Sequence, residues 1–441
     1  MKRFNKIFTT GIVNYACLVN INIIAILSAG IVLFYSLLRG FRPPVSYAKA
    51  QWLISYDFGF IKRGLVGSLV KPIIQNKTPS EIELIIYTFS VLLLALFFAT
   101  VLWVMYFFVK KQSLFVNKLT VFLFSLVFAS SAYVVLQFNL VGFFDYATAI
   151  CAILAVYYTV KKQFIKVSLL SILALAIHEL YFLAGFPAVC WAVLLVNEKY
   201  WKSSRPLFKQ RLLVSILTIL IPVSFLGYII WTHYDIPEKT IAELNTQIAS
   251  YKLLTKKGVS FGTFHLKHNL KDNYNLQKKE WFKARLFTTN INKTVYPTVI
   301  LFVIFIGSVL WKQKMLCSLA FAPIAVFSPL LLHLVAWDTA RFTNLLILNS
   351  FLMVFSTLLL FNLSEDKKVT RFVRYVLWIA STFIFLINLY TEVPMMSGPS
   401  DRDGLLGIRD VVTLKDSPQD QIQSRKIVER QLEIPIQRES K

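Results

Sequence analysis

Acidic residues are scarce in this chain: 23 Asp and Glu stand against 47 Lys and Arg, and charged residues make up only 16% of the 441 positions. An average soluble domain carries about 25% charge. With 56% hydrophobic residues, the chain has more apolar surface than soluble cores of this length bury. The cysteines, Cys17, Cys151, Cys190 and Cys317, all lie inside apolar runs without CxxC spacing, which excludes a disulfide framework or a zinc finger and leaves them as small core residues. No internal repeat or half-to-half symmetry is visible, which weighs against a secondary transporter built from inverted repeats. After the basic start MKRFNKIF no small-residue cleavage site follows the apolar run at 21–38, so that run reads as a retained first helix. Asp57-Phe58-Gly59 spells the metal-binding triplet of protein kinases, but no glycine-rich loop or HRD segment accompanies it and the match is chance.

What the chain does have is long hydrophobic runs. They fall near 17–38, 82–108, 119–137, 146–160, 167–178, 181–196, 212–232, 295–311, 315–335, 343–362 and 375–391. Several reach the roughly 18 to 20 residues that cross a ~30 Å hydrocarbon core. The expected fold is therefore an all-α polytopic membrane protein with about 11 transmembrane helices. The short pair at 167–178 and 181–196 reads as two broken helices meeting near His178-Glu179.

Alternate connections collect the basic charge. Lys2, Arg3 and Lys6, then Lys110, Lys111 and Lys118, Lys161, Lys162 and Lys166, the stretch 199–211, Lys312 and Lys314, and the stretch 367–374 hold 20 basic residues, against the single Arg341 on the short opposite connections. Basic short loops mark the cytoplasmic side, which puts the N-terminus inside and explains the net charge of +24 without nucleic acid. Two long connections, 39–81 and 233–294, and a polar tail, 392–441, then fall outside, leaving 1–391 as the membrane domain.

Ionisable residues embedded among apolar ones cost about 2.5–3.5 kcal/mol each on insertion scales and point to function. Away from the basic loops they form four groups: Asp57 with Lys62 and Arg63, Asp145, His178-Glu179, and Asp338 with Arg341. All four lie at expected outer helix ends. Each also has a plain structural reading. Asp145 opens a helix and suits an N-cap; His178 and Glu179 can satisfy each other; Asp338 and Arg341 have the spacing of an intrahelical pair; Asp57 can pair with Lys62 or Arg63. Gly59, Gly64 and Gly67 around the first group suggest tight turns or close backbone approach. Leu65, Val66, Leu69, Val70 and Ile73 recur at helical spacing, so 63–74 is expected to be an amphipathic helix in the membrane interface. Its start, with Lys62 and Arg63, is a candidate anion site. His265 and His268 are three apart with no further ligand cluster, so no metal is assigned.

This layout resembles the GT-C superfamily of integral-membrane glycosyltransferases, and more narrowly the bacterial O-antigen-modifying glucosyltransferases. The likeness rests on Asp57 in SYDFGFIKRG, the helix at 63–74, Asp145 in GFFDYA and the break at His178-Glu179. A well-known member carries an acidic pair or Asp-x-Asp in the first outer loop, whereas Asp57 stands alone. The resemblance implies an enzyme of the bacterial cytoplasmic (inner) membrane whose active site faces outward. It would move a sugar from a polyprenyl-phosphate donor to a glycan or lipid-linked acceptor. Asp57 would be the general base; Arg341, then Lys62 and Arg63, would stabilise the lipid phosphate; Asp145, His178, Glu179 and Asp338 would complete the substrate site. The loop 233–294, with Tyr274, Trp281, Phe282 and eleven Lys/Arg, either covers the site or is plain solvated loop. An O-antigen polymerase and a lipid-linked sugar flippase remain as alternatives.

Overall fold

In the computed structural model the described residues are 22–112, 115–201, 208–232, 236–255, 258–260, 263, 266, 274, 289–334, 339–361, 369–391, 393–395 and 398–399. Apart from a two-residue antiparallel pair at Pro394–Met395 and Gly398–Pro399, their regular structure is helical. The chain is a polytopic helical membrane protein. Six helices are long and apolar enough to cross a bilayer, and a seventh span arises if the bent pair around Ser130 is taken as one.

The helices run in this order: α1 Asn22–Gly40, α2 Ser46–Gln51, α3 Gly64–Ile74, α4 Pro79–Lys111, α5 Phe115–Ala129, α6 Ala132–Asn139, α7 Asp145–Val160 and α8 Phe164–Ile177. There follow α9 Tyr181–Ala184, α10 Phe186–Trp201, α11 Phe208–Thr232, α12 Glu238–Ser250, α13 Thr289–Lys312, α14 Leu316–Phe327, α15 Thr339–Leu360 and α16 Val369–Tyr390. Over its described residues each of the eleven expected apolar runs is helical. Three are interrupted: α5 and α6 bend by 41°, α9 and α10 divide at Gly185, and α14 tightens into a 3₁₀ turn at Ser328–Leu334. Short helices such as α7 and α8 fall below the length needed to count as spans on their own.

α15 is the axis of the bundle. Nearly all of its apolar window, 94%, is buried, against 28% for α11. It packs on α13, α7, α10, α6 and α14. Burial on every side explains its composition: Thr343, Asn344, Asn349, Ser350, Ser356 and Thr357 are all fully buried, small and polar groups that let helices approach and bond across the gap. Asn349, for example, donates to the Ala325 carbonyl at 2.7 Å. α11 instead turns Leu213, Leu220 and Trp231 outward, as a lipid-facing helix does.

Side-chain contacts sort the helix ends into two sets. At one end, Arg39 near the end of α1 donates to the carbonyls of Asn388 in α16 and of Thr391 just after it, at 2.8 and 2.7 Å. Asn139 of α6 reaches the Gly40 carbonyl there, and Arg341 of α15 meets Asp145 of α7. At the other end, Lys111 of α4 and Lys199 of α10 bond the last carbonyls of α15, and Lys118 of α5 bonds Asn22 of α1 at 2.8 Å. Glu198 of α10 caps the start of α14 through the Ser318 amide at 2.8 Å. From Arg341 to Leu360, α15 counts 20 residues, about 30 Å at 1.5 Å per residue, the thickness of a hydrocarbon core.

Candidate functional site

The first long connection folds into α2, a 3₁₀ turn at Tyr56–Phe58, and α3. Gly59 leaves the turn at φ 100°, a backbone that L side chains rarely adopt. In α3, a Cβ on Gly67 would stand 1.9 Å from the Ile54 carbonyl oxygen, so only glycine lets the helix lie against the 54–55 segment. The helix itself appears where the sequence placed it. Gly64, Gly67, Val70 and Ile74 pack inward, while Leu69 and Ile73 are exposed.

The loop 233–294 contributes α12, whose Ile241, Leu244 and Ile248 stripe is buried. Leu244, Ile248, Val259 and Leu266 share a hydrophobic cluster with Trp52, Ile54, Ile61, Val70, Ile74 and Phe144. The two long connections thus share one small core beside the membrane bundle, and part of the second covers the first. Trp281, Phe282, His265, His268 and most of the tail 392–441 lie outside the described residues.

Asp57 sits on this covered edge. Its Oδ2 accepts from Ser55 Oγ at 2.7 Å, Lys71 Nζ at 2.7 Å and Gln247 Nε2 of α12 at 2.6 Å, while no donor among the described residues reaches Oδ1. The Lys71 and Ser55 hydrogen bonds hold its carboxyl below the usual aspartate range. The expected local partners Lys62 and Arg63 are not those used; Lys71, one helical stretch later, takes the carboxylate instead.

Arg63 turns the other way. It is the residue before α3, a non-glycine in the left-handed region at φ 64°, a conformation that costs on the order of 1–3 kcal/mol and persists when the surroundings require it. Here the requirement is visible: the guanidinium is buried, donates from Nε and Nη2 to Glu179 at 3.2 and 2.7 Å, and reaches the Tyr47 hydroxyl at 3.2 Å. Burial opposes its charge, and Glu179 more than reverses this, so its pKa is raised. Lys62 beside it is shifted down by burial, with Glu179 opposing.

Glu179 leads inward. His178 Nδ1 lies 3.3 Å from its Oε2, and His178 Nε2 lies 3.2 Å from Arg341 Nη2. An arginine nitrogen can only donate, so Nε2 accepts and the proton of a neutral ring sits on Nδ1, pointing to Glu179. The Leu180 amide also approaches Nδ1 at 3.2 Å, but an accepting Nδ1 would set Nε2–H against the Arg341 N–H. Arg341 closes the chain by gripping both oxygens of Asp145, with Nε–Oδ1 at 2.9 Å, and its guanidinium lies 5.5 Å from the Phe143 ring centre. The Trp52 indole on the Gly142 carbonyl at 2.8 Å and the Tyr146 hydroxyl accepting from the Gly142 amide at 3.0 Å pin the loop that delivers Asp145.

The result is a relay, Asp145–Arg341–His178–Glu179–Arg63–Tyr47, drawn from residues up to 294 positions apart (341 less 47). Of the plain structural readings, that of Asp145 as a cap is revised. Asp145 makes no capping bond; Phe144 is the residue before α7 and the carboxylate serves Arg341. Arg341 pairs across helices, and Asp338 lies outside the described residues. His178 and Glu179 do meet, but as links between two arginines. Asp145, His178 and Arg341 are buried, whereas the Glu179 side chain is 23% exposed, so solvent reaches the relay at Glu179. Among the described residues Asp57 makes no hydrogen bond or ion pair with it.

Sequence reasoning missed Tyr47, Lys71, Gln247 and Tyr133. Lys71, the only charge inside α3, had a signal; the others had none. Tyr133 and Gln51 are buried, and their side-chain polar atoms have no hydrogen-bond partner among the described residues. Tyr133 is close enough to Asp145 and Arg341 to feel both charges. Buried polar groups in this state call for an explanation. No group of three or more His, Cys, Asp or Glu among the described residues is placed to hold a metal ion. No protein-family model, curated protein or solved structure matches the chain.

Proposed function

We propose that this chain is a membrane glycosyltransferase that moves a sugar from a polyprenyl-phosphate donor to a glycan or lipid-linked acceptor at the outer face of a bacterial cytoplasmic membrane. The observation that supports it most is the relay, which ties the Arg63 turn of the first long connection to the ends of three membrane helices. A fold gains little stability from burying such ions, because desolvation offsets most of their attraction; a site that orders a charged, hydroxylated substrate has a use for them.

In this reading Asp57 is the base. Its carboxylate is ionised at neutral pH and held through Oδ2, which leaves Oδ1 to take the acceptor hydroxyl proton as that oxygen attacks the anomeric carbon. The phosphate leaves with growing negative charge and needs preplaced cations. Arg341 is buried and committed to Asp145, so it positions the relay. Lys62 and Lys71, both at least partly exposed, face the phosphate.

The test is transfer of label from a polyprenyl-phosphate sugar in membranes holding wild type or Asp57→Asn. Loss of about 10²- to 10⁴-fold in the variant, with its thermal midpoint unchanged, is the expected result for a missing general base. Unchanged transfer removes Asp57 from that role, and no transfer by wild type to any glycan acceptor sinks the enzyme reading. One observation favours a flippase instead: α7 and α15 join an ionic relay at one end to a cluster of lysines at the other. A flippase would move the lipid-linked sugar across vesicles without cleaving it.

A further inference from the structure

At the end of the bundle opposite the relay, α4, α7, α10 and α15 finish around a cavity of about 250 Å³. Lys111, Lys161 and Lys199 line it together with Tyr157, Tyr200 and Leu360, and among the described residues no acidic side chain does. Three ammonium groups drawn from 88 positions of chain (199 less 111) into one small space repel one another, and Lys111 feels both of the others. Such a grouping needs a negative counterpart.

Part of that counterpart is the helix end. Lys111 donates to the Leu358 and Leu359 carbonyls and Lys199 to Leu360, at 2.6 Å. These are the last carbonyls of α15, where the helix dipole is negative, and capping them accounts for two lysines. It does not account for the third. Among the described residues Lys161 touches only the Tyr157 ring, 5.7 Å from its centre. The carbonyl bonds also leave N–H donors on Lys111 and Lys199 unused, and together they amount to about half an elementary charge against three.

We infer that this cavity is a phosphate-binding site, held ready by the end of α15 and completed by Lys161. A phosphate oxygen there takes the spare ammonium hydrogens and offsets the mutual repulsion of the lysines. Basic pockets between membrane helices on the cytoplasmic side hold lipid headgroups in this manner, and a soluble phosphate offers the same oxygens. The site lies at the other end of α15 from the relay and does not depend on the enzyme reading.

The experiment follows the thermal midpoint of the detergent-solubilised full chain against inorganic pyrophosphate in one arm and dihexanoyl phosphatidic acid in the other. Dihexanoyl phosphatidylcholine is the control. Wild type is expected to show a saturable rise with at least one anionic probe and none with the control; the arm that saturates at lower concentration identifies the source. Lys161→Gln, which leaves both helix-capping lysines in place, should raise the half-saturating concentration about fivefold, in keeping with the worth of one lysine near an anionic surface. Lys161→Arg should keep it near wild type. Absence of saturation with either anion, or equal half-saturation in wild type and Lys161→Gln, overturns the inference.

Discussion

Both ends of α15 are polar, and they differ in what their charges meet. Arg341 at the start is gripped by a carboxylate, and the relay beyond it alternates Asp145, Arg341, His178, Glu179 and Arg63 so that two negative and two positive groups balance around a neutral imidazole. Among the described residues Lys111 and Lys199 at the end hold backbone carbonyls, Lys199 also lies over the Phe361 ring, and Lys161 reaches the Tyr157 ring but no carbonyl. The scarcity of acidic residues makes the difference possible. With 23 of them for 47 bases, the fold places Asp145 and Glu179 in the relay, while Glu198 at the opposite end is turned to the start of α14 and, among the described residues, leaves the lysine cavity without a carboxylate. A self-balanced end can be buried; an unbalanced one has to stay within reach of anions or water.

The comparison breaks most visibly at Arg341. Arg341→Ala leaves Asp145 charged, buried and alone, and should cost about 3–5 kcal/mol, read as a large drop in thermal midpoint. The double variant Asp145→Leu with Arg341→Met should recover much of that loss, because removing both charges of a buried pair is far milder than removing one. Glu179→Gln comes next: the partly exposed carboxylate is shared by Arg63 and His178, and its loss should cost about 1–3 kcal/mol as a charged hydrogen-bond acceptor. At the cationic end Lys199→Gln removes one helix-capping charge and should cost no more than about 1 kcal/mol. If it destabilises as much as Arg341→Ala, the two ends are not different in kind.

The smallest effect concerns pH. The folded Asp57 carboxyl lies below its unfolded value, through its bonds to Lys71 and Ser55. Its contribution is therefore present above the unfolded pKa, near 3.9, and is lost as pH falls through the folded value. The side chain is 32% exposed, so solvent screening keeps the pair within about 1 kcal/mol. Hydrogen exchange of α12 should accelerate modestly between pH 5 and pH 3 (about two units spanning the unfolded pKa), and Asp57→Asn should abolish that change.

Much of the helical layout was legible beforehand. The runs at 82–108, 146–160 and 212–232 became Pro79–Lys111, Asp145–Val160 and Phe208–Thr232, because apolar length and basic punctuation are local properties. The break at His178-Glu179 and the helix after Arg63 were legible for the same reason. Partnership was not. Spacing pointed Asp145 to its own helix start and Asp57 to Lys62 or Arg63. The structure instead joins Arg341 to Asp145 across 196 positions and Asp57 to Gln247 across 190. Nor does anything local separate α15, buried on every side, from α11, since both read as apolar helices with polar residues inside them.

By itself, then, the sequence determined that this is a helical membrane protein, where along the chain most of its described helices lie, and which ionisable groups stand near helix ends. Those follow from the cost of exposing apolar surface to water and charge to lipid, which each segment meets on its own. Only the tertiary structure decided that Arg63 takes a left-handed backbone to reach Glu179, that His178 links two arginines, and that three lysines share one cavity. A charge finds its partner among whichever helix ends packing brings within about 4 Å, and that depends on every contact in the bundle at once.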